Sequence, residues 1–177
     1  MNNFEYNNVY KLYNKISEHF SSTRVIIWPK VKEFLDDCNT NSLILDIGCG
    51  NSKNMNYRDD CNYIGVDICE NFINQNKSKN NSNYIIADCV NIPLQSNSID
   101  YILSIAVIHH LSTYERRYKA IEEIYRLLKI NGKALIYVWA FEQPKFKSEK
   151  TQDVFVKWNL QKKYNIENKE EILHRYY

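Results

Sequence analysis

Over the first forty residues, apolar side chains recur at three- and four-residue steps: Tyr6, Val9, Tyr10, Tyr13, Ile16 and Phe20. That spacing predicts an amphipathic opening helix. Trp28-Pro29 then begins a second helix, with proline at a tolerated first-turn position and Val31, Phe34 and Leu35 continuing it. From residue 43 the pattern changes. Residues 43–47, 63–66, 84–87, 101–106 and 134–139 are short apolar runs bounded by turn residues, too short for helices. They predict buried strands. Between the second and third, Asn71 to Asn83 is polar with only Phe72 and Ile73 as apolar anchors, which predicts a poorly packed crossover. After the fourth, Ser112-Thr113-Tyr114-Glu115 reads as a capping box. The helix it starts places Ala120, Ile121, Ile124, Leu127 and Leu128 on one face, with Asn131-Gly132 as its stop. Alternating strands and helices predict an α/β fold built on a mainly parallel sheet. Beyond Trp139 the chain turns basic, with Lys145, Lys147, Lys150, Lys157, Lys162 and Lys163. Phe146, Phe155, Trp158 and Tyr164 are interleaved with these lysines, and no further strand is expected before Tyr177.

Composition narrows the class. A chain of 177 residues that is 44% hydrophobic and 25% charged can bury one core. The expected organisation is a single domain over 1–177: N-terminal helices over 5–40, a binding core over 43–140, and a basic, aromatic segment over 141–177. No apolar stretch has membrane-spanning length, and Met1-Asn2-Asn3-Phe4 lacks a signal-peptide pattern. Five cysteines without a Cys-x-x-Cys pair argue against a disulfide scaffold and against a metal site. They suit a reducing compartment, the cytoplasm and also the nucleus. A net charge of +2 does not by itself argue for nucleic acid.

The chemistry concentrates where the strands end. The first closes on Asp46-Ile47-Gly48-Cys49-Gly50, the second on Asp67 and the third on Asp88. A glycine turn followed about 20 residues later by a carboxylate is the nucleoside-binding corner of a doubly wound sheet. A dinucleotide turn needs a third glycine three positions after the second, and Lys53 stands there. Asp46 sits where a dinucleotide would bring phosphates; its charge repels pyrophosphate and suits a cationic ligand. S-adenosylmethionine, a positively charged nucleoside with an amino-acid tail, fits both observations. The turn resembles the first motif of class I methyltransferases, a Rossmann-like fold. Ligands bind at the carboxyl ends of parallel strands, so the three aspartates are expected to face one crevice. In that family the matching positions serve the methionine end, the ribose and the adenine amino group. Aspartates also end strands simply as turn residues.

The fourth strand exits through Ile105-Ala106-Val107-Ile108-His109-His110-Leu111. It carries neither the Asn/Asp-Pro-Pro-aromatic sequence of base-amine methyltransferases nor a Pro-Cys nucleophile, which leaves an oxygen acceptor as the expected class. Ile105 is expected at the cofactor and His110 at the acceptor, while one of the two histidines, His109 sooner than His110, is open to the alternative of packing into the sheet and hydrogen-bonding locally.

A wider set of segments is more specific. His19-Phe20-Ser21-Ser22-Thr23-Arg24, Trp28-Pro29, Asp46 to Asn51, Ser104 to Arg117, Leu135 to Gln143 and Gln152 to Val156 resemble one family over most of residues 10 to 158. It is the eukaryotic transfer-RNA methyltransferase family that esterifies 5-carboxymethyluridine at the wobble position. The resemblance implies a methyl ester product and a sheet ordered 3-2-1-4-5. A carboxylate acceptor is already ionised at neutral pH and needs orientation rather than a strong base. Arg24 is the candidate to hold it in a two-point grip, with His110 positioning the acceptor. Arg116 and Arg117 touch phosphate or line a solvated helix face, and the late lysine and aromatic stretch has the composition of a single-stranded RNA contact.

Two departures stand out. Ser52 replaces the family's glycine, which costs stability if that backbone needs positive φ. The chain also stops where the family continues into a last helix and two closing strands, so the sheet is expected to lack them. Family members work with a small zinc-binding activator, and the open edge at Tyr84, Ile85, Ile86 and Ala87 is its expected docking strand. Two other readings share the three aspartates: a generic small-molecule O- or N-methyltransferase, and a cofactor-binding module without turnover.

Overall fold

The computed structural model describes residues 1–55, 57–79, 82–140, 142, 154–158 and 172–176. The N-terminal rod starts at α1 (Asn3–Glu5), where the Asn2 side chain accepts from the Glu5 N–H at 2.9 Å. It runs through a π-helical turn (Tyr6–Tyr10) into α2 (Lys11–Thr23). Helix α3 (Pro29–Asp36) has its proline in the first turn and buries Val31 and Leu35 completely. Full burial of such side chains contributes about 1.5–3 kcal/mol each.

Five strands form one parallel sheet in the order β3-β2-β1-β4-β5, as the family resemblance implies. They are β1 (Leu43–Ile47), β2 (Asn62–Asp67), β3 (Asn83–Ile86), β4 (Ile99–Ile105) and β5 (Leu128–Tyr137). Alternation along β1 sends Ile44 to one face and Leu45 and Ile47 to the other. On the first face Val31 and Leu35 of α3 and Ile73 of α4 (Glu70–Lys77) close the core. On the second, Ile124 and Leu127 of α5 (Tyr114–Leu127) do so.

The structure corrects several local expectations. The α4 crossover packs well despite its polarity, because Phe72, Ile73 and Asn76 are all buried. The α5 N-cap is Thr113, one residue later than the capping box predicted, and its side chain accepts from the Arg116 N–H. Ser112 is diverted: its N–H and hydroxyl both donate to Glu5 Oε1, at 2.6 and 2.9 Å. Ile121 is 41% exposed and does not belong to the buried face. Helix α5 ends at Leu127 rather than at Asn131-Gly132. Ile99 pairs with Leu128 and Tyr101 with Lys133, so residues 129–132 bulge from the ladder, turning at Asn131 with φ +66°.

Two strands follow β5 where none was expected. β6 (Val154–Trp158) and β7 (Ile172–Tyr176) pair antiparallel in a separate two-stranded sheet. Among the described residues, β5 and β3 are the two edges of the main sheet. Of the late lysine and aromatic stretch, Phe155, Lys157 and Trp158 are described and the other named residues lie outside the described ones.

Candidate active site

The carboxyl ends of β1, β2 and β4 open into a cleft roofed by the N-terminal rod and by β6. The glycine turn is its floor. Gly48 has φ +67° and its N–H donates to the Val66 carbonyl at 2.7 Å. A Cβ there would clash with a Val107 methyl, so glycine at this left-handed position lets the β4 exit approach closely. Gly50 (φ +50°) donates its N–H to Asp67 Oδ2 at 2.8 Å, and its carbonyl accepts from Asn76 Nδ2 at 2.7 Å. Ser52 adopts φ +61°, the left-handed conformation that made its replacement of glycine a concern. Across the cleft, Ala106 also has φ +61° where β4 ends, a strained non-glycine residue at the site.

The three aspartates do not share one environment. Asp67 lines the cleft and accepts from the Gly50 and Cys69 N–H groups, each at 2.8 Å. Burial raises its pKa and these donors oppose the rise. Asp88 also lines the cleft, but Arg116 grips both its oxygens, at 2.9 and 2.7 Å. Burial pushes Asp88 up, and the Arg116 hydrogen bonds and charge more than reverse this, leaving its pKa lowered. Arg116 in turn pairs with the buried Glu5 at 2.7 Å. It is thus not part of a solvated face: its side chain is 16% exposed and occupied by two carboxylates. Arg117 donates to the Leu111 carbonyl at 2.9 Å.

Asp46 is the exception to the single crevice. It is fully buried beneath the turn and is absent from the cleft wall. Asn54 Nδ2 donates to its Oδ2 at 3.3 Å, while Oδ1 has no hydrogen-bond partner. Burial pushes its pKa up to about 7. Asn54 itself lines the cleft and links Asp46 to it.

The far wall is aromatic. Ile105, His110, Trp28, Trp139 and Trp158 all line it. His109 is buried and its Nδ1 accepts from the Trp139 N–H at 3.3 Å, the local role expected for it. His110 faces the cleft with Nε2 3.1 Å from the Tyr13 hydroxyl. Trp158 of β6 donates its indole N–H to His19 Nδ1 at 2.9 Å and stacks on Phe20 at 5.9 Å. Over these rings lies Arg24, its guanidinium 5.1 Å from Trp158 and 5.6 Å from Phe20. Lys53 stands nearby, 5.0 Å from the Trp28 ring.

Gly48, Gly50, Asp67, Asp88, Ile105, Arg24 and His110 thus converge on one cleft, and Asp46 lies just under it. Lys53, Asn54 and the tryptophan walls were not read as site residues. A nucleoside floor, carboxylates for hydroxyl and cationic groups, and an aromatic mouth with exposed positive charge suit transfer from a nucleoside cofactor to an anionic acceptor. Residues 45–136 match the family model described as Methyltransferase domain. The chain belongs to that family. A tRNA (carboxymethyluridine(34)-5-O)-methyltransferase of Schizosaccharomyces pombe is 41% identical over 170 residues, covering 93% of this chain and 74% of that protein. The mouse tRNA (carboxymethyluridine(34)-5-O)-methyltransferase ALKBH8 is 42% identical over 148 residues, 84% of this chain and 22% of its own length. The chain therefore spans less than a quarter of the mouse relative. Among solved structures, the complex of the Haloferax volcanii Trm112 methyltransferase activator with a methyltransferase has a TM-score of 0.56 and 14% identity. It covers 69% of this chain and 56% of that one, a likeness of fold.

Proposed function

We propose that this chain methylates the carboxylate of 5-carboxymethyluridine at the wobble position of tRNA, using S-adenosylmethionine and giving the methyl ester. The observation that carries the reading is Arg24. Its guanidinium is held over two aromatic rings at the cleft mouth, and among the described residues its hydrogen bonds run to the Thr23 carbonyl and hydroxyl. A planar guanidinium so placed is free to grip a carboxylate with two parallel bonds.

The cleft fits the cofactor on its own features: the close approach allowed by Gly48, the Asp67 carboxylate fixed at the cleft wall by backbone N–H groups, and the unpartnered Oδ1 of Asp46. Gly48 and Gly50 would hold its amino-acid end, Asp67 the ribose, and Asp88, steadied by Arg116, the adenine. When bound, the cofactor supplies an electrophilic methyl on a sulfonium. The chain's part is orientation. The acceptor is already ionised, so no residue has to remove a proton. Arg24 fixes the carboxylate, and His110, braced by Tyr13, borders the base. Trp28, Trp139 and Trp158 offer stacking faces and keep water out. A small zinc-binding activator docks on the outer edge of β3, where Ile86 is exposed and no strand pairs among the described residues.

The test is transfer of labelled methyl to carboxymethyluridine-containing tRNA with the activator present, followed by mild alkali. Release of the label as methanol, and loss of transfer in Arg24→Ala with S-adenosylhomocysteine binding retained, are expected. Alkali-stable label, or undiminished transfer by the variant, would sink the reading.

A further inference from the structure

Lys53 occupies the position where a dinucleotide turn carries its third glycine, and the function above leaves it unused. Its ammonium is half-buried in the cleft wall. It donates to the Ile26 carbonyl at 3.0 Å and lies over the Trp28 face. The turn that carries it is tied to the segment that carries Arg24: Asn51 Nδ2 donates to the Arg24 carbonyl at 2.8 Å and to the Ser21 carbonyl at 3.2 Å. Two cations are therefore fixed on adjoining segments of one mouth. Among the described residues their contacts are with carbonyls, a hydroxyl and aromatic faces, and neither makes a salt bridge to a carboxylate.

That arrangement costs free energy. Burial lowers the Lys53 pKa and the Arg24 charge lowers it further, opposed only by Asp46. Asp46 titrates near neutrality and is a weak counter-charge. A half-buried ammonium beside an exposed guanidinium is a like-charge pair that becomes favourable once an anion sits between the two.

We infer that Lys53 and Arg24 together form a seat for a ligand carboxylate, with Lys53 as its second cation. The division of labour suits their chemistry: the guanidinium fork sets the plane of the carboxylate, and the ammonium adds a compact point charge from one side. The inference rests on the methyltransferase reading and deepens it. Two carboxylates are available there, the carboxymethyl group of the acceptor and the amino-acid head of the cofactor.

The test uses the full chain with its activator, as wild type, Lys53→Met (same stem, no charge) and Lys53→Arg. Calorimetry gives the affinity ratio of S-adenosylhomocysteine to its decarboxylated analogue. Competition gives the ratio of carboxymethyluridine tRNA to carbamoylmethyluridine tRNA, whose amide is neutral. Ratios do not depend on the folded fraction, so a destabilised variant remains readable. Lys53→Met is expected to shrink one ratio roughly ten- to hundredfold, the range for a hydrogen bond to a charged group, with Lys53→Arg restoring most of it. Collapse of the tRNA ratio assigns the seat to the acceptor, and collapse of the homocysteine ratio assigns it to the cofactor. Both ratios unchanged in Lys53→Met overturns the inference. If wild type transfers no methyl to carboxymethyluridine, the substrate reading fails, while the homocysteine ratio still judges the seat.

Discussion

Asp46→Asn separates what the site needs from what the fold tolerates. The wild-type carboxyl is fully buried and its pKa stands at about 7 against an ordinary 3.8. The folded chain then holds a proton that the unfolded chain has released. The stability contributed by this group is greatest at or below about pH 4, declines as pH rises toward 7, and levels off above that. A gap of about 3 pK units at 1.36 kcal/mol each amounts to about 4 kcal/mol. Asparagine keeps the shape, keeps an acceptor for Asn54 and never ionises. At pH 4 the two proteins should melt within a few degrees of each other. At pH 8 the variant should be the more stable by as much as about 8–16 °C, using 2–4 °C per kcal/mol for a chain of this size. The assay is thermal unfolding of both without cofactor at pH 4, 6 and 8. A gap that does not widen with pH, or a variant less stable at pH 8, refutes the account. A cationic ligand above the turn favours the ionised form. Wild-type affinity for it should therefore climb between pH 6 and 8, and the asparagine variant should show weaker binding without that climb.

Two further substitutions probe the backbone and the ion network. Ser52→Gly should raise the melting temperature by about 2 °C, because relief of the left-handed strain, about 1–2 kcal/mol, exceeds the added unfolded-state entropy of about 0.4–1 kcal/mol. A fall in melting temperature would show that the serine is well accommodated. Arg116→Ala should destabilise by about 3 kcal/mol at pH 7, since it removes the cation paired with Glu5, 4% exposed, and leaves Asp88, 19% exposed, to the Met1 ammonium at 3.2 Å. Arg116 outweighs burial to depress the Asp88 pKa, so that stabilisation is present above about pH 4 and fades as pH falls through the folded value. The urea midpoints of wild type and variant should accordingly converge toward pH 3, and a constant gap would contradict the pairing.

What the sequence made legible was local. Strand, glycine turn and aspartate lie within a few residues of one another, and the runs of β1, β2 and β4 report their own burial. Ile136, Tyr137 and Val138 of the last run, expected in a buried strand, are exposed because β5 is a sheet edge among the described residues. The π-turn rod and α3 were equally readable from spacing and from Pro29. Facing was less so. Asp46 was expected in the crevice with Asp67 and Asp88, but the bend at Gly48 leaves it one layer below, reached through Asn54. Asparagine is so abundant in this chain that Asn54 gave no signal. Arg116 was hidden because its partners Glu5 and Asp88 are 111 and 28 residues away. β6 and β7 were missed because the basic stretch around them lacks the continuous apolar run that marks a strand buried on both faces; Val154 and Trp158 are buried at its ends while Phe155 is exposed. Lys53 was noticed only as a missing glycine.

The indole of Trp158 reaches back 139 residues to the imidazole of His19 and completes the mouth beneath Arg24. A chain emerging from the ribosome presents its N-terminal rod and then its strands in the order β1 to β5. The glycine turn and the three aspartates can be in place while the tryptophan is still unmade. The nucleoside side of the cleft can thus form during synthesis, whereas the ring beneath Arg24 arrives last. Nascent chains released before residue 158 should retain the glycine turn and the three aspartates while lacking the indole that completes the mouth.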